Sequence, residues 1–484
     1  MRDFGYNPAE IGHGSIARFS PIIVWSFRHG NCRGTGAISI RETATSMLTP
    51  KPTVGDSSWF VRDRFGMFIH WGLYALAARH EWVRHNEQIS EQDYQRYFDY
   101  FDPDLYDPKV WARTAREAGM KYVVLTTKHH EGFCLWDSKH TDYKATNTPY
   151  GKDLLRPFVD AFRAEGLRVG FYYSLIDWHH PDFPIDVHHP QRNHPEVAAL
   201  NRGRDIRRYA AYMREQVREL LTGYGRIDIL WFDFSYSDRP YQGLPGKGHR
   251  DWESEKLLAL VRELQPDVMV NNRLDLDEVL GVPPDITTPE QFLPRQAPQV
   301  LGRAVTWESC HTLSGSWGYH RDEASWKSPE QLVQLLVETV ALGGNLLMNV
   351  GPTGRGRFDD RAVAALEAYG RWLGLHGRSI YGCGPAGPEI AVPRDCRLTR
   401  NGNRLYVHLF AWPFRHLHLD GLGGKVAYAQ LLHDASEVKR LEPVDPALGG
   451  NTHVPLTAGT LTLELPVRRP DVTVPVVELF LKDG

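Results

Sequence analysis

From residue 60 onward, short apolar runs alternate with amphipathic helical stretches, and this alternation constrains the fold more than any other feature of the chain. Apolar runs lie at 66–70, 122–126, 168–173, 227–232, 268–271, 304–307 and 345–349, with a blurred eighth at 379–381. Strands separated by helices pair in parallel, because a parallel neighbour can be reached only by a crossover. The expected class is α/β, a closed (β/α)8-like TIM barrel. A doubly wound open sheet is the rival, weakened because no GxGxxG turn follows the first strand.

The helices between these runs carry their own punctuation. "DPKVWARTAREAG" offers Asp107 as N-cap, Pro108 at the first helical position and Gly119 as the stop. "SPEQLVQLLVETVALGG" opens with Ser328 and places Gln331 three residues on, a capping box. After "YGCGPAGPE" the texture changes to short β-rich runs, "RLYVHLFAW", "HLHLDGL", "TLTLELPV" and "VPVVELFL", broken by Gly, Pro and Asn. They predict a small C-terminal antiparallel β-sandwich. The expected division is 1–50 as a poorly ordered N-terminal extension, 51–385 as the barrel and 386–484 as the sandwich.

Composition narrows the functional classes. A formal net charge of −3 argues against nucleic acid or an anionic membrane as the main partner. No stretch approaches the roughly 18 apolar residues of a spanning helix. No basic segment followed by an apolar core opens the chain, so no signal peptide is expected. Five scattered cysteines without a CxxC pair fit a reducing, cytoplasmic setting rather than a disulfide framework.

In a barrel the chemistry sits at the carboxyl ends of the strands. There the sequence places His70, Lys128–His129–His130, Tyr172, Asp233, Arg273, Glu308 and Asn349. Hydrogen-bonding groups mixed with aromatics, with few net charges, suit a neutral polyhydroxylated ring. A metal reading of the histidines is weaker: His129 and His130 are adjacent and would point to opposite faces of a continuing strand. "GGNLLMNVGPTGRG" lacks the GxxxxGK[ST] pattern of a phosphate loop. Asp233 follows a four-residue apolar strand and is a rigidly mounted carboxylate. Glycoside hydrolysis needs a second carboxyl group, and Glu290, Glu308 and Glu253 compete for that place.

The blocks "FGMFIHWGLYAL", "EWV", "AGMKYVVLTTKHHEGFCLWDS", "GLRVGFYYSLIDW", "DILWFD", "VNNR", "TPEQ", "WESC", "SWGYHRD" and "GGNLLMNVGPTGRG" run in one order from about residue 60 to 385. In them the chain resembles the retaining α-L-fucosidases, glycoside hydrolase family 29. The resemblance implies an exo-acting enzyme that removes terminal α-L-fucosyl residues from glycans by double displacement. It implies Asp233 as the nucleophile and, at an element that varies across the family and where one branch carries its acid/base, Glu290 as the acid/base. His70, Glu81, Trp82, His129, His130 and Tyr172 match residues that bind fucose hydroxyls. Arg273 matches a cation beside the catalytic pair, expected to hold the Asp233 pKa low, and Trp317 an aromatic near the sugar's methyl group. Lys128 and Glu131 are expected to support the histidines by a salt bridge or a bond to a loop carbonyl. No cofactor or metal is implied. The expected partner is a fucosylated oligosaccharide or glycoconjugate, not nucleic acid or membrane, with homo-oligomerisation left open. A metal-dependent hydrolase on the same barrel and a retaining glycosidase for a fucose-like sugar stand as alternatives. The sequence departs from the family pattern at Glu131, Val83 and Phe234.

Overall fold

The computed structural model describes residues 55–441 and 459–482. Seven parallel strands form one sheet: β1 (Phe65–Ile69), β2 (Tyr122–Lys128), β3 (Arg168–Ser174), β4 (Ile229–Asp233), β5 (Met269–Val270), β6 (Glu308–Thr312) and β7 (Asn345–Val350). Their order is β5-β4-β3-β2-β1-β7-β6, which leaves β5 and β6 as edges. One irregular segment joins those edges. Asn271 bridges Ile286, Thr287 bridges Trp307, and Glu290 bridges Cys310, all in parallel. The Ile286 N–H donates to the Val270 carbonyl (3.3 Å) and the Gln291 N–H to the Cys310 carbonyl (3.0 Å). Residues 286–290 therefore occupy the eighth barrel position, and the TIM-barrel-like reading holds.

Two strand expectations are corrected. Residues 379–381 are no strand: Gly377–Ser379 is a 3-10 turn. The run at 304–307 is displaced, since Arg303–Ala304 pairs with Gln299–Val300 in a small hairpin and the sheet strand starts at Glu308. β6 reads "ESCHT", a polar run that is nonetheless buried throughout. Its polar groups are paired inside the protein, so an apolar-run criterion passes over it.

The helices pack outside the sheet: α1 (Pro108–Glu117), α2 (Leu155–Ala164), α3 (Ile206–Gly223), α4 (Ser254–Leu264), α5 (Pro329–Ala341) and α6 (Asp360–His376). The Asp107 carboxylate caps α1 by accepting from the Lys109 and Val110 N–H groups. Ser328 and Gln331 form the reciprocal box that starts α5. Inside the sheet, Phe68, Tyr122, Val124, Tyr172, Ile229, Trp231, Met269, Ile286, Cys310 and Leu347 make one cluster with Trp59 and Phe60. A filled interior leaves ligands only the carboxyl end of the barrel.

C-terminal to the barrel, a five-stranded antiparallel sheet (Gly384–Pro385, Cys396–Asn401, Arg404–Leu409, Val476–Leu481, Val426–Leu431) faces a three-stranded one (His416–Asp420, Thr460–Glu464, Lys439–Leu441). Leu398, Leu405, Val407, Leu417, Leu419, Leu461, Leu463, Val477 and Leu479 fill the space between them. Cys134, Cys310, Cys383 and Cys396 are free and buried. Among the described residues no helix is long and apolar enough to cross a membrane. The expected N-terminal extension at 1–50 and Cys32 lie outside the described residues.

Candidate active site

One cavity opens where the strands end. It is lined by Phe68, His70, Glu81, Trp82, His129, His130, Tyr172, Trp231, Asp233, Phe234, Glu290, Cys310 and Trp317. Nine of the ten residues that the family resemblance places in the site are in that lining; the tenth, Arg273, lies against it, paired with Asp233 and Glu290. Strand geometry does most of the placing. Asp233 ends β4 in register with Ser174, and Trp231 is in register with Tyr172 on β3. Phe68 on β1 is in register with Asn349 on β7, so His70 emerges just above that pair.

Asp233 is held on both oxygens. The Tyr172 hydroxyl donates to Oδ2 (2.7 Å) and Arg273 Nη1 to Oδ1 (3.2 Å). The other arm of the same guanidinium, Nη2, donates to Glu290 Oε2 (2.8 Å). One planar fork therefore ties the two carboxylates together. Arg273 itself rests over the Trp231 ring, 5.0 Å from its centroid. The carboxylates differ in exposure: the Asp233 side chain is 10% exposed and that of Glu290 40%. The expectation that Arg273 keeps the Asp233 pKa low is corrected. Burial pushes it up to about 6, outweighing the pull of Arg273, with Glu290 adding to the rise.

The rival glutamates are elsewhere. Glu308 is the first residue of β6, at the opposite end of the barrel interior from Asp233. It accepts from the Tyr122 hydroxyl and from Trp231 Nε1 (3.3 Å), and burial pushes its pKa up to about 7. It props the Trp231 floor from below. Glu253 pairs with Arg214 and Lys256 in the helix layer.

The histidines present defined faces. Asn349 Nδ2 donates to the Trp317 carbonyl (2.6 Å), so Asn349 Oδ1 is the acceptor for His70 Nδ1–H (2.6 Å). The Ser174 hydroxyl donates to the Ile176 carbonyl (2.8 Å), so it must accept from His130 Nδ1–H (2.7 Å). In both rings this leaves Nε2 as a lone-pair acceptor. Burial holds both pKa values well below the ordinary value, so the rings are neutral. His130 Nε2 stands 3.9 Å from Asp233 Oδ2. Neutral acceptors beside a carboxylate suit hydroxyl donors. Among the described residues no group of three or more His, Cys, Asp or Glu is arranged to hold a metal ion.

The surrounding residues fix this arrangement. Lys128 makes the expected salt bridge, to Asp177 Oδ2 at 3.0 Å, fully buried, and also donates to the Tyr209 hydroxyl. Glu131 approaches His129 Nδ1 at 3.4 Å but neither of its oxygens has a hydrogen-bond partner. Gly132 turns the chain at φ 85°, where an added Cβ would meet Asp177 Oδ1 at 2.2 Å. Glu81 Oε2 accepts from the Trp317 and Gly318 N–H groups (3.1 and 2.8 Å), fastening the Trp317 loop to the Trp82 loop. Sequence reasoning passed over Phe68 and Trp231, which make the floor, and Ser174, which sets the His130 tautomer. The strands carrying them are apolar on both faces, so no alternation marks the inward side.

A barrel with a carboxylate pair above an aromatic floor, among neutral hydrogen-bonding side chains, is the architecture of a glycoside hydrolase. Comparison with known proteins narrows the class. The Alpha-L-fucosidase family profile matches residues 43–378. Human tissue alpha-L-fucosidase is 29% identical over 380 residues, covering 74% of this chain and 75% of that protein. Alpha-L-fucosidase isoenzyme 1 from Paenibacillus thiaminolyticus is 45% identical, with a TM-score of 0.80 over 88% of this chain and 99% of that one. A trapped covalent intermediate of a Bacteroides thetaiotaomicron GH29 alpha-L-fucosidase with 2-fluoro-fucosyl fluoride is 28% identical, with a TM-score of 0.75 over 91% and 98%. The chain belongs to the α-L-fucosidase family, glycoside hydrolase family 29.

Proposed function

We propose that the chain is an exo-acting retaining α-L-fucosidase. The observation that carries this reading is Arg273, whose two arms hold Asp233 and Glu290 over one cavity. The family membership and the covalent intermediate trapped in a relative support it. Ionised Asp233 attacks the anomeric carbon while Glu290 gives its proton to the departing oxygen. The C1–O bond breaks and a fucosyl ester forms on Asp233. Glu290 then takes a proton from water, the water attacks the same carbon, and Asp233 departs, so configuration is retained. Two carboxylates bound to one guanidinium suit the roughly 5–5.5 Å spacing of retaining enzymes better than the wider spacing of inverting ones. In this reading the sugar hydroxyls meet His70, His129, His130, Glu81, Trp82 and Tyr172, and the methyl group meets Trp317. The substrate is a fucosylated oligosaccharide or glycoconjugate.

A panel of chromogenic glycosides tests the activity, with proton NMR reading the first-formed anomer. Turnover of p-nitrophenyl α-L-fucoside with α-fucose released first is the expected result. Silence on the fucoside with turnover of another glycoside would overturn it. Loss of activity in chelator, restored by zinc, would favour a metal-dependent hydrolase.

A further inference from the structure

Phe234, directly after Asp233, has φ 74°, the left-handed region that a bulky side chain rarely adopts. The chain beyond it is tied down on two sides. The Ser235 hydroxyl donates to the Arg273 carbonyl (2.7 Å), and Trp252 Nε1 donates to Ser235 Oγ (3.1 Å). The Tyr236 N–H donates to the Lys247 carbonyl (2.7 Å), and its hydroxyl to Asp186, which also pairs with Lys247. With β4 fixing one side and these anchors the other, the strain at Phe234 is imposed by its surroundings. Strained residues of this kind collect at ligand clamps.

The Phe234 ring lines the same cavity as Asp233. It meets His130 edge-on at 4.9 Å, Trp82 at 5.4 Å and His188 at 5.3 Å. Trp82 in turn packs on Trp178 at 5.4 Å. His130 and Trp178 are buried, whereas Phe234 and Trp82 are half-buried. Two aromatic rings therefore form a wall at the rim of the cavity, beside the carboxylate. A phenyl ring neither gives nor takes a proton, so Phe234 is not one of the groups that bind the sugar hydroxyls. Phe234 and Glu290 line the same cavity, and both are more exposed than the buried His70, His129 and His130, so the group attached to the oxygen that Glu290 would protonate faces their side.

We infer that Phe234 forms a binding site for the leaving group, selective for groups with a flat apolar face: an aryl ring or the C–H face of a second pyranose. This inference rests on the proposed fucosidase reaction. Its test compares kcat/KM of the wild type, Phe234→Gly and Phe234→Tyr on α-L-fucosyl fluoride, phenyl α-L-fucoside and a fucosyl disaccharide. Departing fluoride is one atom and offers no face to the ring. Phe234→Gly is expected to lose about tenfold more on the phenyl fucoside and disaccharide than on the fluoride, as the loss of one aromatic contact requires. Phe234→Tyr, which keeps the face, should recover most of the difference. If Phe234→Gly fails to melt cooperatively, Phe234→Leu reads the same ratio with apolar volume kept and the flat face lost. An equal loss on all three substrates would overturn the leaving-group site while leaving the fucosidase reading intact. A wild type inactive on all three would overturn the reading itself, and the inference with it.

Discussion

Asp233 is the residue on which the reaction and the electrostatics meet. As the proposed nucleophile it must be ionised, and burial raises its pKa to about 6. kcat/KM should therefore fall as pH drops through about 6, with one proton taken up per enzyme inactivated. Arg273 lowers that pKa and Glu290 raises it. Arg273→Gln should move the acidic limb to higher pH, and Glu290→Gln should move it to lower pH. A limb that stays put in both variants would detach it from Asp233. Asp233→Gly should lose on the order of 10³-fold or more for every substrate, as removal of a covalent catalyst does. The strand-end rule found His70, His129, His130, Tyr172 and Asp233, because each closes or follows a run whose burial the sequence betrays. Glu81, Trp82 and Trp317 are on loops with no period, and only the family resemblance pointed to them. Phe234 was visible as a departure from that pattern, but its φ of 74° was not. The strain there costs roughly 1–2 kcal/mol.

The element that most shapes the site is the one hardest to read. Residues 286–290 fill the eighth barrel position through three isolated bridges and carry Glu290 to Arg273. Pro283, Pro284 and Pro289 punctuate this stretch, and proline cannot donate to a ladder, so it did not read as a strand. The helices were legible in contrast, since Asp107 and Ser328 cap them through bonds that their sequence spacing requires. β6 was displaced in the sequence reading because a buried polar strand has no apolar signature. Its Glu308 gives the control for the acid/base assignment. Glu290→Ala should damage turnover of a fucosyl disaccharide far more than that of an activated aryl fucoside, which needs little protonation to depart. Azide should intercept its glycosyl-enzyme as α-fucosyl azide, and in Asp233→Gly it should give the β anomer. Glu308→Gln, which unsettles the Trp231 floor without removing a proton donor, should slow both substrates by similar factors. An azide product from Glu308→Ala and none from Glu290→Ala would transfer the acid role.

At the scale of the whole molecule, the sequence divided barrel from sandwich by a change of texture, while the packing joins them. Tyr406, Leu432, Val474 and Val476 of the C-terminal domain belong to the same buried cluster as Trp372, Ile380 and Cys383 beside the barrel. Trp372 Nε1 donates to the Val474 carbonyl (3.0 Å). Arg397 on the sandwich pairs with Glu338 on α5 at 2.6 Å. A transition that exposed the sandwich alone would uncover this cluster and break the Trp372–Val474 and Arg397–Glu338 contacts, so neither part gains by unfolding first. Calorimetry should show the barrel and sandwich melting in one transition. Trp372→Ala removes a large buried ring and the bond to Val474, a loss of about 3–5 kcal/mol. If the two parts are one cooperative unit, that variant should shift the single transition to lower temperature and keep it single. Two resolved transitions in the wild type, or a Trp372→Ala trace in which only a minor transition moves, would show that the sandwich is an independent body and that the texture change in the sequence marks an energetic boundary.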